Sequence, residues 1–235
     1  MTRPISSDHS PLEVSGDEFR SQVEIVLSRL AEHLDDLGSQ DAWNPHTNPD
    51  DSVATRETTP GEPDTLGNVI DRFFSDWMQP SYNPASGGYM AYVPGGGIPH
   101  AAIADLIAGC INKYVTVWSV APGLANLEAD VVDWLRDLVG FPEKAGGYLT
   151  TGGSMANWSA VVTARRTILG DEFSNATIYT STQTHHSIQK AAVLAGFPEK
   201  HVRLIDSDSD QRIDLATLET EIAADRKKGL RPFFI

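Results

Sequence analysis

The sequence contains a single cysteine, Cys110, among its 235 residues, so no disulfide bond can form within the chain. One unpaired thiol is typical of a protein in a reducing compartment, which predicts a cytoplasmic location. No run of apolar residues approaches the roughly 18 that a membrane-spanning helix needs. The opening residues, MTRPISSDHS, also lack the apolar stretch of a secretory signal. We therefore expect no association with membranes.

Basic residues are scarce as well. There are 18 Lys and Arg against 32 Asp and Glu, a formal net charge of −14. Nucleic-acid binding needs clustered cations to neutralise phosphates, so this balance argues against a nucleic-acid partner. Apolar residues make up 40% of the chain and charged residues 21%, which is enough to bury a core.

The first 80 residues are predicted to form a helical segment interrupted by a proline-rich arm. A helix is predicted over residues 17–37, a polar arm over 39–64, and a second helix over 65–78. The first helix has one apolar stripe at the spacing of an amphipathic helix, formed by Val23, Val26, Leu27, Leu30, Leu34 and Leu37. Two helices and an arm cannot enclose a core, so we expect them to pack on the main domain or on another subunit as a dimerisation element.

From residue 81 to residue 235, helical patterns and short apolar runs predict an α/β domain with a mostly parallel sheet. Helices are expected near 101–113 and 124–138, followed by a β-α-β-α-β-α-β series. Its strands are YLTT (148–151), TIYTS (177–181), HVRLI (201–205) and PFFI (232–235), and its helices span 154–169, 186–195 and 215–227. The last run stops inside an apparent strand, which leads us to expect a truncated domain.

The segment YLTTGGSMAN carries the clearest chemical signal. A predicted strand leads into Gly152 and Gly153, and then into Ser154 at the start of a helix. Free N–H groups and the helix dipole make such a terminus suited to a phosphate. Ser154 could equally be an ordinary helix cap. It could also be the nucleophile of a serine hydrolase, although Asp171 and His185 lie uncomfortably close in sequence to complete a triad.

Two adjacent histidines, His185 and His186, follow the predicted strand TIYTS. Open α/β sheets bind ligands at the carboxyl ends of their strands. Adjacent side chains at a helix start diverge, and no other His or Cys lies at ligand spacing nearby, so no metal site is predicted. One imidazole could stack on a flat ligand, or both could lie at a surface helix cap.

A third segment, Tyr89–Gly97, combines aromatic residues with three consecutive glycines. Such a loop can line a pocket. It can equally connect two elements while its aromatic residues complete the core.

Five motifs in order resemble the group II pyridoxal-phosphate (PLP)-dependent decarboxylases, which include aromatic-L-amino-acid, tyrosine, histidine and glutamate decarboxylases. The similarity covers about residues 87–235 well and the preceding helices loosely. The motifs are Tyr92-Val93-Pro94, WSVAP (118–122), Leu127-Glu128 with Trp134-Leu135, TGGSMAN (151–157) and QTHHSI (183–188).

The resemblance implies a fold-type I, aspartate-aminotransferase-like large domain in a tight homodimer. It implies that Gly153 and Ser154 bind the phosphate of pyridoxal 5'-phosphate and that His185 stacks on its pyridine ring as a catalytic residue. It also implies that the segment Tyr92-Val93-Pro94 lines the substrate pocket. The expected reaction is decarboxylation of an L-amino acid, with an aromatic substrate favoured.

The family also uses a Schiff-base lysine in a His-Lys pair, an aspartate that pairs with the pyridine nitrogen, and a tyrosine on a mobile loop. None of the six lysines follows a histidine; they are Lys113, Lys144, Lys190, Lys200, Lys227 and Lys228. We therefore expect these groups beyond Ile235 and an inactive isolated chain. The alternatives are a glutamate or other amino-acid decarboxylase, another fold-type I lyase or aminotransferase, a serine hydrolase using Ser154, and a catalytically silent scaffold.

Overall fold

A computed structural model describes residues 13–43, 59–92 and 95–235, which form two compact units. The first unit ends at Asn112 and the second runs from Lys113 to Ile235. The predicted division at residues 80 and 81 falls inside the first unit. Much of the predicted arm, residues 44–58, lies outside the described residues.

The first unit contains three helices that the sequence predicted, two in the N-terminal segment and a third, expected near 101–113, in the predicted α/β domain. Helix α1 begins where Ser15 accepts a hydrogen bond from the Glu18 N–H and the Glu18 carboxylate accepts one from the Ser15 N–H. This reciprocal pair satisfies two N–H groups that a helix start leaves free. Among the described helices, none is both long and apolar enough to cross a bilayer. The elements are α1 (Gly16–Asp36), α2 (Leu66–Arg72) with a following π-helical turn (Phe73–Met78), and α3 (Pro99–Ile111).

The covered side of helix α1 agrees with the predicted stripe only in part, since Val23, Val26 and Leu37 are half-buried as expected. Arg29 and His33 are half-buried, and both contact the Phe74 ring, at 5.3 Å for the guanidinium and 6.1 Å between ring centroids. By contrast, Leu27 and Leu34 are about half exposed, at 52% and 45%. The unit therefore half-buries Arg29 and His33 beside part of the predicted stripe, and it leaves Leu27, Leu30 and Leu34 exposed.

The second unit contains a three-stranded parallel sheet with helices between its strands. Its strand order is β2-β1-β3, so the first strand in sequence is central. This agrees with the predicted α/β class. The elements are α4 (Pro122–Leu138), α5 (Gly153–Ala164) with a π-helical turn (Arg165–Leu169), β1 (Ala176–Ser181), α6 (Ser187–Leu194), a 3-10 turn (Glu199–His201), β2 (Val202–Ile205), α7 (Leu215–Lys227) and β3 (Arg231–Phe234).

The strand predicted at YLTT is wrong for the described structure. Residues 148–150 have no regular secondary structure, and Thr151 lies in a bend. The side chains of Tyr148 and Leu149 are 65% and 56% exposed. A strand exists only when a neighbouring strand pairs with its backbone, and no strand among the described residues pairs with this segment. Its apolar residues alone could not reveal that.

The central strand β1 is buried on both faces. Ile178 lies in a cluster with Val161 of α5 and Ala191 of α6. Tyr179, which points to the opposite face, packs with Leu218 of α7. Since side chains alternate across a strand, β1 contacts the helices on both faces of the sheet. The candidate site begins at the carboxyl end of this strand.

A buried polar group ties β1 and β2 to α7. The Asp225 carboxylate accepts hydrogen bonds from the Tyr179 hydroxyl at 2.9 Å and from Arg203 at 2.7 Å and 2.9 Å. The Asp225 side chain is fully buried, and that of Arg203 is 24% exposed. The hydrogen-bonded guanidinium lowers the pKa of Asp225. Burial raises the pKa of Tyr179 to about 12, so its hydroxyl stays protonated.

Replacing Asp225 by alanine is expected to destabilise the second unit strongly. The change leaves Arg203 and Tyr179 without their buried partner, which costs about 3–5 kcal/mol in buried pairs and less here because Arg203 is partly solvated. Urea denaturation followed by circular dichroism measures the change. The matched control is Asp171→Ala, which removes the exposed ion pair with Arg166 and should cost at most about 1 kcal/mol.

The difference in unfolding free energy between wild type and Asp225→Ala depends on pH in a defined direction. The pKa of Asp225 is lower in the folded chain than in the unfolded chain, so its stabilisation is fully present above the unfolded value of about 3.9. It is lost as the pH falls through the lower, folded value. The gap between wild type and Asp225→Ala should therefore shrink in acid. Equal effects of Asp225→Ala and Asp171→Ala at neutral pH would contradict this account.

Candidate functional site

The turn before α5 requires glycine at one position. Gly152 has φ +150° and ψ 170°, a conformation that residues with a Cβ atom rarely adopt. Its carbonyl accepts hydrogen bonds from the N–H groups of Met155 and Ala156, each at 3.1 Å, and from the Thr150 hydroxyl at 3.0 Å. Gly152 is thus the N-cap of α5, and its strained backbone sets the direction in which the helix starts.

The first N–H groups of α5 point at no described acceptor. Gly153 and Ser154 occupy the first two helical positions, where no intrahelical bond is available. The first turn contains no acidic residue. A Cβ atom added to Gly153 would meet no described atom within 4 Å, so the space beside this terminus is open. The arrangement suits an anion in both charge and room.

Ser154 is not the helix cap. It lies two residues beyond the N-cap Gly152, and its exposed hydroxyl makes no hydrogen bond with the described residues. The capping alternative for Ser154 is therefore wrong in this structure. Its hydroxyl is available to the same anion as the neighbouring N–H groups.

His185 and His186 differ in their surroundings, although both are exposed. The Nδ1 atom of His185 lies 2.8 Å from the Ser187 hydroxyl and accepts a hydrogen bond from the Ser187 N–H at 3.2 Å. His186 is the N-cap of α6 and makes no side-chain capping bond. Ser187 therefore anchors the ring of His185 through Nδ1, and the Nε2 atom makes no hydrogen bond with the described residues.

A tight turn after β1 leads to His185. The Ser181 N–H donates to the Thr184 hydroxyl at 3.1 Å, and the two hydroxyls are 3.0 Å apart. The Thr184 N–H donates a hydrogen bond to the Ser181 carbonyl at 3.0 Å. These bonds place His185 directly past the carboxyl end of the central strand, as the sequence predicted.

Asn157 joins the two halves of the candidate site. It lies one turn into α5, and its amide is 2.8 Å from the Ser187 hydroxyl at the start of α6. Ser187 is buried, with 3% of its surface exposed. This contact brings the first turn of α5 and the start of α6 side by side. The anion-suited terminus and His185 therefore belong to one site, named below the Ser154–His185 site.

The first unit holds the third predicted site segment. Tyr92 has a left-handed backbone, with φ +57°, and its side chain is 91% exposed. Val93 and Pro94 lie outside the described residues. The role of these three residues in substrate binding stays a prediction.

The motifs contained the residues that sequence reasoning did not assign. Gly152, Asn157 and Ser187 all lie in the quoted segments TGGSMAN and QTHHSI. The signal for Gly152 was the pair of consecutive glycines. Asn157 and Ser187 gave no signal, because a hydrogen bond between residues 30 positions apart depends on how two helices pack.

Comparison with known proteins identifies the class. The pyridoxal-dependent decarboxylase conserved domain matches residues 57–235, and the chain belongs to this family. Pyridoxal 5'-phosphate is the cofactor of the family. The chain is 30% identical over 231 residues to an aromatic-L-amino-acid decarboxylase of Bacillus atrophaeus, covering 95% of this chain and 47% of that protein.

Two further likenesses agree. An aromatic-L-amino-acid decarboxylase of Rattus norvegicus is 26% identical, over 93% of this chain and 49% of its own. The crystal structure of Catharanthus roseus tryptophan decarboxylase in complex with L-tryptophan superimposes with a TM-score of 0.85 at 23% identity, covering 96% of this chain and 51% of that one. The chain thus has the fold of these enzymes and spans about half the length of the curated relatives it matches.

The described residues fit the family's cofactor. The phosphate needs a cationic or N–H-rich pocket with room, which the start of α5 supplies through two free N–H groups, a hydroxyl and no acidic neighbour. The flat pyridine ring needs a face on which to rest, which the anchored imidazole of His185 can supply. The structure also weakens the hydrolase alternative. In a triad the Nδ1 of the histidine donates to the acid, whereas here the Nδ1 of His185 accepts from the Ser187 N–H and the candidate acid Asp171 pairs with Arg166 at 3.0 Å.

Proposed function

We propose that this chain forms the phosphate- and ring-binding part of a PLP-dependent decarboxylase that acts on an aromatic L-amino acid. The observation that carries the proposal is the Ser154–His185 site. In this site an open helix terminus and an anchored imidazole are linked through the hydrogen bonds of Ser187 with Asn157 and His185. The names of the relatives from Bacillus atrophaeus and Rattus norvegicus support the reaction and the aromatic substrate.

Each residue of the site has a distinct task in this proposal. The N–H groups of Gly153 and Ser154 and the Ser154 hydroxyl bind the cofactor phosphate. His185 rests on the pyridine ring and fixes its plane. Bound PLP supplies an electron sink for the negative charge left on the substrate when CO₂ departs. Tyr92, Val93 and Pro94 line the substrate pocket.

The substrate class is tested with the holoenzyme, meaning the PLP-loaded polypeptide that carries this chain together with a cofactor-attaching lysine. CO₂ and amine are measured for L-tryptophan, L-tyrosine, L-phenylalanine and L-glutamate. Amine and CO₂ in equal amounts from an aromatic substrate support the proposal. Release of CO₂ and amine from L-glutamate alone would contradict the aromatic substrate and would indicate a glutamate-type decarboxylase. Amino-group transfer without CO₂ would replace the reaction with that of an aminotransferase.

We also propose a cytoplasmic homodimer. The leucine side of α1 remains largely exposed, and in α3 the side chains of Ile103 and Ile107 are more than half exposed. Apolar surface on this scale is expected to be covered by another protein surface. The single cysteine is consistent with a reducing compartment.

The 235-residue chain alone is expected to release no CO₂ from any L-amino acid. The reason is chemical, because none of its six lysines follows a histidine as the family's cofactor-attaching lysine does. The measurement is CO₂ release by the purified chain with saturating PLP and the four amino acids above, with the holoenzyme as positive control. Decarboxylation by the chain alone would show that one of those six lysines attaches the cofactor.

A further inference from the structure

Ser187 presents its donors to one nitrogen of His185. Its backbone N–H, which can only donate, lies 3.2 Å from Nδ1 and is directed at that atom. A nitrogen that accepts from an N–H group carries a lone pair there and no proton. Nδ1 is therefore the unprotonated nitrogen, and the neutral ring carries its proton on Nε2.

The direction of the remaining bonds follows from that assignment. The Ser187 hydroxyl is 2.8 Å from Nδ1, a distance that requires a proton between the two atoms. Since Nδ1 has none to give, the hydroxyl donates. The hydroxyl oxygen must then accept from Asn157, whose Nδ2 lies 2.8 Å away. The bonds run in one direction, from Asn157 to Ser187 to His185.

We infer that Ser187 and Asn157 are positioning residues that fix the tautomer and ring orientation of His185. The inference rests on the proposed function, in which the ring of His185 lies against the cofactor. Ser187 suits the task because it is buried and begins α6, so its hydroxyl has few other directions to take. Asn157 suits it because α5 also carries Ser154, which couples the setting of the ring to the phosphate end of the site.

The tautomer is read directly from the ¹⁵N chemical shifts of His185, with ring-labelled histidine, in the PLP-loaded holoenzyme and in the same polypeptide freed of PLP. The expected result is a pyridine-type shift at Nδ1 and a pyrrole-type shift at Nε2 in both forms. The opposite assignment, with the proton on Nδ1, would overturn the inference without any variant being made. His185→Gln identifies the resonances.

Three variants test the direction of the bonds. Ser187→Ala removes the hydroxyl and leaves the backbone N–H as the one remaining donor from residue 187 to Nδ1, so the two shifts of His185 should move part of the way toward a tautomer mixture. Ser187→Thr keeps a hydroxyl and should restore the wild-type pattern. Asn157→Asp replaces a donor by an acceptor, so the Ser187 hydroxyl should turn away from Nδ1 and the shifts should move as in Ser187→Ala. Unchanged shifts in both Ser187→Ala and Asn157→Asp would overturn the inference.

Kinetics provide the link to function. Ser187→Ala should lower kcat about 2- to 10-fold, the effect of one lost hydrogen bond, with less change in KM for the amino acid. Failure of this inference can be distinguished from failure of the proposed function. A holoenzyme that releases no CO₂ from any amino acid would contradict the proposed function, and full activity of His185→Ala would contradict the proposed role of His185; both outcomes leave the tautomer result unaffected. A tautomer that is unchanged in Ser187→Ala and Asn157→Asp would contradict this inference and would leave the proposed cofactor site unaffected.

Discussion

In the holoenzyme, His185→Ala is expected to lose most decarboxylase activity, whereas His186→Ala keeps much of it. His185 is held through Nδ1 at the carboxyl end of the central strand, and His186 lacks such an anchor. Loss of an aromatic face from the cofactor ring should lower kcat/KM about tenfold, equivalent to about 1.4 kcal/mol. Steady-state kinetics with the preferred amino acid measure both variants.

His186→Ala is the matched control for this prediction, because it removes the same type of side chain one residue away. PLP content should be measured beside activity, so that a loss of cofactor is separated from a loss of turnover. The opposite ranking, with His186→Ala the more damaged variant, would show that the register of the cofactor contact is wrong by one residue.

Ser154→Ala and Gly153→Val are expected to weaken PLP binding to different extents. Ser154→Ala loses one hydrogen bond to a charged phosphate, about 1.5–3 kcal/mol, which corresponds to about 10- to 150-fold in Kd. Gly153→Val should weaken binding more, because its side chain would occupy the open space at the start of α5 that the phosphate needs. The measurement is the equilibrium Kd of PLP for the holoenzyme polypeptide after its cofactor has been removed.

The controls for this pair share its chemistry and lie elsewhere. Ser174→Ala removes an exposed hydroxyl in a turn, and Gly146→Val adds a side chain where the chain also leaves room. Both should leave the Kd of PLP unchanged. Equal Kd values for wild type, Ser154→Ala and Gly153→Val would show that the phosphate does not bind at the start of α5.

Elements with strong local signals were predictable from the sequence. The bounds of α7 match the prediction of 215–227, because Asp214 caps the helix through the Thr217 N–H and the apolar pattern ends where the basic residues begin. Strand β1 was predictable as well, because a run of β-branched and aromatic residues buried on both faces differs from every neighbouring segment.

Features that depend on distant partners were not predictable. The segment YLTT has the composition of a strand, yet pairing decides whether it becomes one. The covered side of α1 holds Arg29 and His33, because the ring of Phe74 packs there. A stripe of leucines could not show this.

The candidate site divides in the same way. The helix terminus at Gly153 and Ser154 and the position of His185 after a strand could be predicted, because glycine, chain order and sheet geometry act locally. The anchoring of His185 by Ser187 and Asn157 could not, since it depends on two helices packing side by side. The sequence thus indicated the groups proposed to touch the ligand and missed the groups that hold them.

The most direct test of the account is a crystal structure of the holoenzyme with PLP, in which the distances from the phosphate oxygens to the start of α5 are measured. The account predicts phosphate oxygens within about 3.2 Å of the Gly153 and Ser154 nitrogens and of the Ser154 Oγ, with the ring of His185 against the pyridine ring. A phosphate bound elsewhere, with those nitrogens facing solvent, would contradict it.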